Sequence, residues 1–418
     1  MSANNTSDKV CVVIGASHAG VNFAFALRRE GWEGEIILFD SDPELPYHRP
    51  PLSKAYLTAD DNTQLDLLFP EENYEDDTIT LCLGKTIMSI DKTSKTITTS
   101  DGIVQKYDKL VISTGARPLI PSIKGIETAQ NLFPMRTYAD AVNIRNAVKQ
   151  SIKKRVVIIG GGYIGLETAA SLKKLGAKVI VLEREERVLA RITAPEMSKF
   201  FQTLHQENGV ALLTNKNVIA IETSEGADTI ICDDNTSYIA DLIVVGVGIK
   251  VNTELAEKAG LIIENGIKVD RTTRTNDENI YAIGDCTYHY NPHYNRFIRL
   301  ESVQNAVDQA KIAAMAICEN EIPYNSIPWF WSDQFDVKLQ MVGLSQGYNQ
   351  VIKRVEDNTE KCLSVWYFKD EELVAVDAVN NAKAYVLGGR FIKSRQKLDK
   401  KKLMDTSIPI KPTSFIIE

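Results

Sequence analysis

The chain has 418 residues, 44% hydrophobic and 25% charged, with a formal net charge of −7. That balance suits a globular protein of two or three domains and excludes bulk attraction to nucleic acid or anionic membrane. No apolar run approaches the roughly 20 residues that span a bilayer, and residues 1–9 lack the cationic start and apolar stretch of a signal peptide. The six cysteines are scattered, with no Cys-x-x-Cys pair, as expected of reduced thiols in a cytoplasmic protein.

The first predicted strand, residues 10–14, runs into the turn Gly15-Ala16-Ser17-His18-Ala19-Gly20, and a second strand, 35–39, ends at Asp40. Strand, tight turn, helix, strand and terminal acid make a βαβ unit that seats a dinucleotide. Its pyrophosphate lies at the helix N-terminus and its adenosine ribose on the acid. Ser17 replaces the middle glycine of G-x-G-x-x-G, so close backbone approach to the pyrophosphate is slightly harder there. His18 reads as a solvated helix residue. A polar loop over residues 41–51 leads to Lys54, which follows the stiff Pro50-Pro51 pair; a strand at 109–113 closes the unit, and Pro118 and Pro121 punctuate a linker.

A second copy begins at residues 155–159 with Gly160-Gly161-Gly162-Tyr163-Ile164-Gly165 and ends in Glu183 after a strand at 178–182. A carboxylate there binds free ribose hydroxyls and repels a 2′-phosphate, which favours NADH; Arg184 and Arg187 follow closely and could accept a phosphate instead. The unit closes with residues 241–245 at Gly246-Val247-Gly248. An apolar strand then ends in Gly284-Asp285, where a carboxylate would accept hydrogen bonds from a ligand hydroxyl, and a helix runs from about 302 to 318. Val303 opens that helix, whose N-terminal partial positive charge suits an electron-rich group of a bound ligand. His289 and His293 are four apart, but Pro292 breaks any helix that would align them, so they read as loop residues and no metal site is expected. Beyond Pro328 short alternating strands at 338–342, 364–368 and 373–376 indicate a third domain of α+β type. It starts with the aromatic cluster Trp329-Phe330-Trp331 and carries seven cations against one acid over residues 390–402.

The expected fold is α/β, with two Rossmann-like dinucleotide-binding domains of the glutathione-reductase kind and a C-terminal α+β domain. The chain leaves the first domain, builds the second and returns: residues 1–117 with 248–326, residues 118–247, and residues 327–418. Two complete dinucleotide units point to an electron relay.

Several strings carry a family resemblance: Tyr47-His48-Arg49-Pro50-Pro51-Leu52-Ser53-Lys54, Ser113-Thr114-Gly115-Ala116-Arg117-Pro118, Gly160 to Glu167, Ala282-Ile283-Gly284-Asp285-Cys286, Arg299 to Ala306, and Pro328-Trp329-Phe330-Trp331-Ser332-Asp333-Gln334. On these the chain resembles the FAD-dependent NADH:ferredoxin reductases of bacterial oxygenase systems, the putidaredoxin reductase and biphenyl dioxygenase ferredoxin reductase family. The likeness runs from residue 10 to about 345 and is loose after about 380. It implies FAD on Gly15, Ala16, Ser17, Gly20 and Asp40, with Arg49, Ile87 beside the adenine, Arg136 near the diphosphate, Asp285 and Val303. It implies NADH as co-substrate on Gly160, Gly162, Ile164, Gly165, Glu183 and Gly248. By the same resemblance Lys54 lies by the flavin near the atom that receives hydride, where a cation stabilises developing negative charge. Glu167 lies near the nicotinamide, and a Lys54–Glu167 pair spanning the two domains sets the transfer geometry. Trp331 lies by the isoalloxazine on the face away from nicotinamide. Related disulfide reductases and peroxidases carry cysteines near the first flavin loop; residues 42–47 hold none, so electrons leave FAD without a thiol relay. The implied acceptor is a small acidic [2Fe–2S] ferredoxin feeding a Rieske dioxygenase or cytochrome P450, met by Lys311, Lys338 and the basic 390–402 segment. The alternatives are a rubredoxin or monodehydroascorbate-type reductase, or a redox sensor like apoptosis-inducing factor.

Overall fold

In the computed structural model, residues 8–60, 63–224, 226–356 and 361–417 are described; most of the N-terminal stretch read for a signal peptide lies outside them. The chain divides into two compact units. One comprises residues 1–48, 65–117 and 250–328, the other residues 49–64, 118–249 and 329–418. Among the described residues no helix is long and apolar enough to cross a membrane.

The first unit is built on a five-stranded parallel sheet in the order Ile280–Ala282, Lys109–Ile112, Val10–Ile14, Glu35–Phe39, Ile79–Cys82. Val10 pairs with Glu35 and Ile14 with Phe39, so both strands end level and the turn after Ile14 starts beside Asp40. The strands are apolar on both faces, as a covered parallel sheet requires. Cys11 and Val13 point into a cluster with Phe23 and Leu27 of helix His18–Arg29 and with Ala306, Ala310 and Ala313 of helix Val303–Ile317. Val12 and Ile14 point the other way, to Ile90 and Ile97 of a small antiparallel sheet. The helix read at 302–318 forms as Val303–Ile317, and the Ser302 hydroxyl caps it by accepting from the Asn305 N–H at 3.1 Å.

The second unit repeats the parallel design in the order Ala211–Leu213, Lys178–Leu182, Arg155–Ile159, Leu242–Val245, Leu132–Pro134. It also contains an antiparallel five-stranded sheet, in the order Trp329–Gln334, Val337–Gly343, Glu372–Val379, Leu363–Lys369, Gln350–Val355. The strands expected there as alternating are longer, and Leu363 to Phe368 is buried at every position. Both faces are covered: Trp366 packs toward Phe391 of helix Ala382–Ser394 and toward Phe415, while the Tyr367 hydroxyl on the other face accepts from the Ala194 N–H at 3.0 Å. The helix sits so close that a Cβ on Gly388 would lie 2.6 Å from Val376 Cγ2.

Candidate functional site

The two glycine turns are built alike. In the first, the Gly15 N–H donates to Phe39 O at 2.7 Å and the Ala16 N–H to Asp40 Oδ2 at 2.6 Å. Asp40 Oδ1 accepts from the Asp42 N–H at 2.9 Å. Gly15 has φ +106°, and a Cβ there would lie 2.4 Å from Ser113 O; one on Gly20 would lie 1.9 Å from Gly15 O. Only glycine closes a strand–turn–helix this tightly. Ser17 has φ −96° and ψ −162°, extended backbone that any residue adopts, so it fits the turn without strain.

In the second turn the Gly160 N–H donates to Leu182 O at 2.8 Å and the Gly161 N–H to Glu183 Oε2 at 2.6 Å, while Glu183 Oε1 accepts from the Glu185 N–H at 2.8 Å. A Cβ on Gly165 would lie 2.1 Å from Gly160 O. Gly162 differs: its φ is −79°, and a Cβ would meet only Gly246 O, at 4.0 Å. The space over Gly162 is left open, a cradle that fits a diphosphate lying on the turn. Ile164, in the first turn of helix Tyr163–Lys174, is 43% exposed, and Gly248, at φ +123°, has open space where a Cβ would stand. Of the two arginines beside Glu183, Arg187 donates to Thr193 O, Ser198 Oγ and Ala190 O at 2.7–2.8 Å. It is committed to the loop, not to a phosphate. Arg184 is exposed and paired with Glu185 at 2.9 Å.

In the first unit Asp285 is half-buried in a short 3₁₀ turn, Gly284–Cys286. Gln309 holds that turn: its Oε1 accepts from the Gly284 N–H at 2.8 Å and from the Thr287 hydroxyl at 3.0 Å. Val303 and Ile87 are half-buried. His18 is not the solvated residue expected. Standing in the first helical turn, it is buried edge-on against His48 with ring centroids 5.5 Å apart. His289 is likewise a buried strand residue and not a loop one, in Thr287–Asn291, and burial brings its pKa down to about 4. No cluster able to hold a metal occurs among the described residues.

In the second unit the Lys54 and Glu167 side chains meet at 2.7 Å, with Glu167 only 2% exposed. The expected pair forms but does not span two compact units, because residues 49–64 pack with the unit that holds Glu167. Helix Tyr163–Lys174 offers Glu167 and Ser171 one turn apart. The Ser171 hydroxyl donates to Ser53 O at 2.7 Å, and the Ser53 hydroxyl to Glu167 Oε2 at 2.6 Å. Ser332 donates to Glu167 Oε1 at 2.6 Å. Ser53 and Ser332 were not singled out from sequence, although each stands beside a residue that was. Arg49 and Arg136 are neighbours through a bond from Arg49 Nη1 to Arg136 O at 2.9 Å. Trp331 is half-buried, 5.7 Å between ring centroids from Trp329.

None of the six cysteines forms a disulfide. Burial pushes the Cys286 thiol up to about 11 and the Cys11 thiol higher, a poor state for thiolate chemistry. In the basic segment Lys400 is occupied with Glu371, Gln350 Oε1 and Asp370 O at 2.6–2.9 Å. Arg390, Lys393, Arg395, Lys397, Lys401 and Lys402 remain exposed, as do Lys311 and Lys338.

Residues 9–310 match the pyridine nucleotide-disulphide oxidoreductase family, and residues 329–414 match the reductase C-terminal domain, which carries the likeness beyond residue 380. The chain is 38% identical over 412 residues to putidaredoxin reductase CamA of Pseudomonas putida, covering 97% of each. It is 38% identical over 404 residues to the 5,5'-dehydrodivanillate O-demethylase ferredoxin reductase subunit of a Sphingobium strain, covering 96% of this chain and 97% of that one. The solved covalent complex of putidaredoxin reductase with putidaredoxin superposes with a TM-score of 0.91 at 38% identity, over 97% of both chains.

Proposed function

Because the chain belongs to the pyridine nucleotide-disulphide oxidoreductase family, we propose that it is an FAD-dependent NADH reductase that delivers electrons singly to a small acidic [2Fe–2S] ferredoxin serving an oxygenase. The two acid-clamped glycine turns carry this reading most directly. Bound FAD supplies the conversion between a two-electron donor and a one-electron acceptor. Residues 1–117 and 248–326 form the FAD domain, with the 49–64 segment packing on the other unit, 118–247 the NADH domain and 327–418 the C-terminal domain. Gly15, Ala16, Ser17, Gly20, Asp40, Ile87, Asp285 and Val303 hold FAD together with Arg49, Lys54 and Arg136. Gly160, Gly162, Ile164, Gly165, Glu183 and Gly248 hold NADH. Glu183 disfavours a 2′-phosphate, and the commitment of Arg187 to its own loop removes one cation that NADPH would need. Six cysteines outside any disulfide suit a reducing, cytoplasmic setting.

Lys54 supplies a fixed positive charge that stabilises negative charge developing at the hydride acceptor, and Glu167 fixes where that charge stands. Trp331, beside the exposed Trp329, lies on the route by which electrons leave. The exposed cations of residues 390–402 steer an acidic partner. The test is steady-state turnover of the purified yellow protein with a [2Fe–2S] ferredoxin, with a rubredoxin, and with a one-electron dye. Ferredoxin should be the best protein acceptor, NADH should exceed NADPH in kcat/KM, and raising salt should slow ferredoxin reduction much more than dye reduction, because steering is screened over about 8 Å at physiological ionic strength. Preference for rubredoxin, or equal use of both coenzymes, contradicts the assignment.

A further inference from the structure

The carboxylate of Glu167 ends a buried chain of hydrogen bonds whose direction is fixed along its whole length. Ser332 has one hydroxyl proton and gives it to Glu167 Oε1 at 2.6 Å. The Ser332 oxygen accepts from Gln334 Nε2 at 3.1 Å, so the Gln334 carbonyl oxygen faces the other way, toward His205 Nε2 at 2.9 Å. That oxygen is an acceptor, so His205 carries its proton on Nε2; its Nδ1 is buried with no hydrogen-bond partner among the described residues. Every donor therefore points toward Glu167: His205 to Gln334, Gln334 to Ser332, Ser332 to the carboxylate. His205 and Ser332 are 0% exposed and Gln334 1%. Aligned hydrogen bonds in such a dry setting polarise one another.

Two of these residues come from strand Trp329–Gln334, where alternation puts Ser332 and Gln334 on the buried face and Trp331 on the other. The third comes from helix Pro195–Glu207. The opposite oxygen, Oε2, takes Ser53 and Lys54 at 2.6 and 2.7 Å. Glu167 is thus held on one oxygen by the segment carrying Lys54 and on the other by the strand carrying Trp331.

We propose that Ser332 and Gln334, backed by His205, are positioning residues that fix Glu167 and through it the Lys54 ammonium, giving the C-terminal domain a part in hydride transfer separate from partner docking. This rests on the reading that the Lys54–Glu167 pair sets the transfer geometry. It is tested with the holoprotein in two ways: the rate at which acetic anhydride acetylates Lys54, followed by mass spectrometry, and the rate of flavin reduction by NADH in stopped flow. Ser332→Ala should raise Lys54 acetylation about fivefold and slow flavin reduction about tenfold, with the Kd for NADH changed less than twofold. Ser332→Thr keeps the hydroxyl and should restore both. Gln334→Leu should fall between, and His205→Phe should give the smallest change. Lys54 acetylation in Ser332→Ala equal to that of the unmodified protein overturns the clamp. Unchanged flavin reduction in Glu167→Gln overturns the underlying reading of the pair, and acetylation still reports on the clamp.

Discussion

The turn at Gly15 and the turn at Gly160 solve one problem with the same parts and differ at their middle residue. In both, the first glycine donates to the carbonyl that ends the second strand, and the next N–H is taken by the terminal acid at 2.6 Å. In both, the last glycine stands where a Cβ would strike the first glycine's carbonyl. Between them one turn has Ser17 and the other Gly162, on nearly the same extended backbone. The outer glycines are therefore demanded by the chain itself. The middle one is not: at Gly162 the protein leaves room for a Cβ, so its absence serves whatever lies on the turn. The acids have a double duty, since Asp40 and Glu183 hold their own turns as well as offering a carboxylate to a ribose.

The outer glycines give the largest expected effect. In Gly20→Ala and Gly165→Ala the new Cβ meets a backbone oxygen near 2 Å, and the strand–helix packing must open, at a cost of about 3 kcal/mol. Gly20→Ala should emerge without flavin. Gly165→Ala should keep its yellow colour and lose NAD⁺ binding, as read by absorbance and calorimetry. Loss of flavin from both, or from neither, would break the correspondence between turn and ligand.

A fully buried acid contrasts with the two half-buried ones at the turns. Asp377 lies within a sheet, where burial raises its pKa from 3.8 to about 7 despite the hydrogen bond donated by Tyr367; burial, with the charges of Asp377 and Glu167, raises that of Tyr163. The unfolded chain releases this proton near pH 4 and the folded chain near pH 7, so the folded state holds more protons between. Stability from this group is present below pH 4 and lost as pH rises through 7. Unfolding free energies of Asp377→Asn from urea titration should vary less between pH 5 and 8 than those of the unmodified protein, by about 2 kcal/mol. An identical slope in both would show that Asp377 is ionised in the fold.

The smallest effects belong to the middle positions. Ser17→Gly should leave FAD content unchanged. Gly162→Ser should fold normally and raise the Kd for NADH by less than about tenfold, because its φ already suits serine. A collapse of either protein would show that the middle residue also shapes the turn.

Much of this was legible in the chain because the elements are local: strand, glycine turn, helix and acid fall within about 30 residues and obey fixed spacing. The Lys54–Glu167 contact was reachable only through family likeness, since its partners are more than a hundred positions apart. Ser332 and Gln334 follow the aromatic cluster directly, yet no local rule marks a strand serine as a carboxylate donor; which strand face meets helix Tyr163–Lys174 is decided by tertiary packing. His18 misled because a polar residue in a first helical turn is usually wet, whereas here His48 covers it. The continuous burial of Leu363 to Phe368 escaped for the same reason, since a second covering layer leaves no mark on one strand's own residues.

The most direct measurement crosses the two acids. Asp40→Asn and Glu183→Gln each keep a side-chain oxygen for the turn's N–H while removing the charge that a ribose would meet. FAD content by acid release and the Kd for NAD⁺ by calorimetry are measured on both proteins. Asp40→Asn should lower FAD retention with the Kd for NAD⁺ unchanged in molecules that keep flavin, and Glu183→Gln should keep a full complement of FAD while weakening NAD⁺ about tenfold. Loss of flavin in Glu183→Gln, or weakened NAD⁺ in flavin-replete Asp40→Asn, would contradict the assignment of one dinucleotide to each turn.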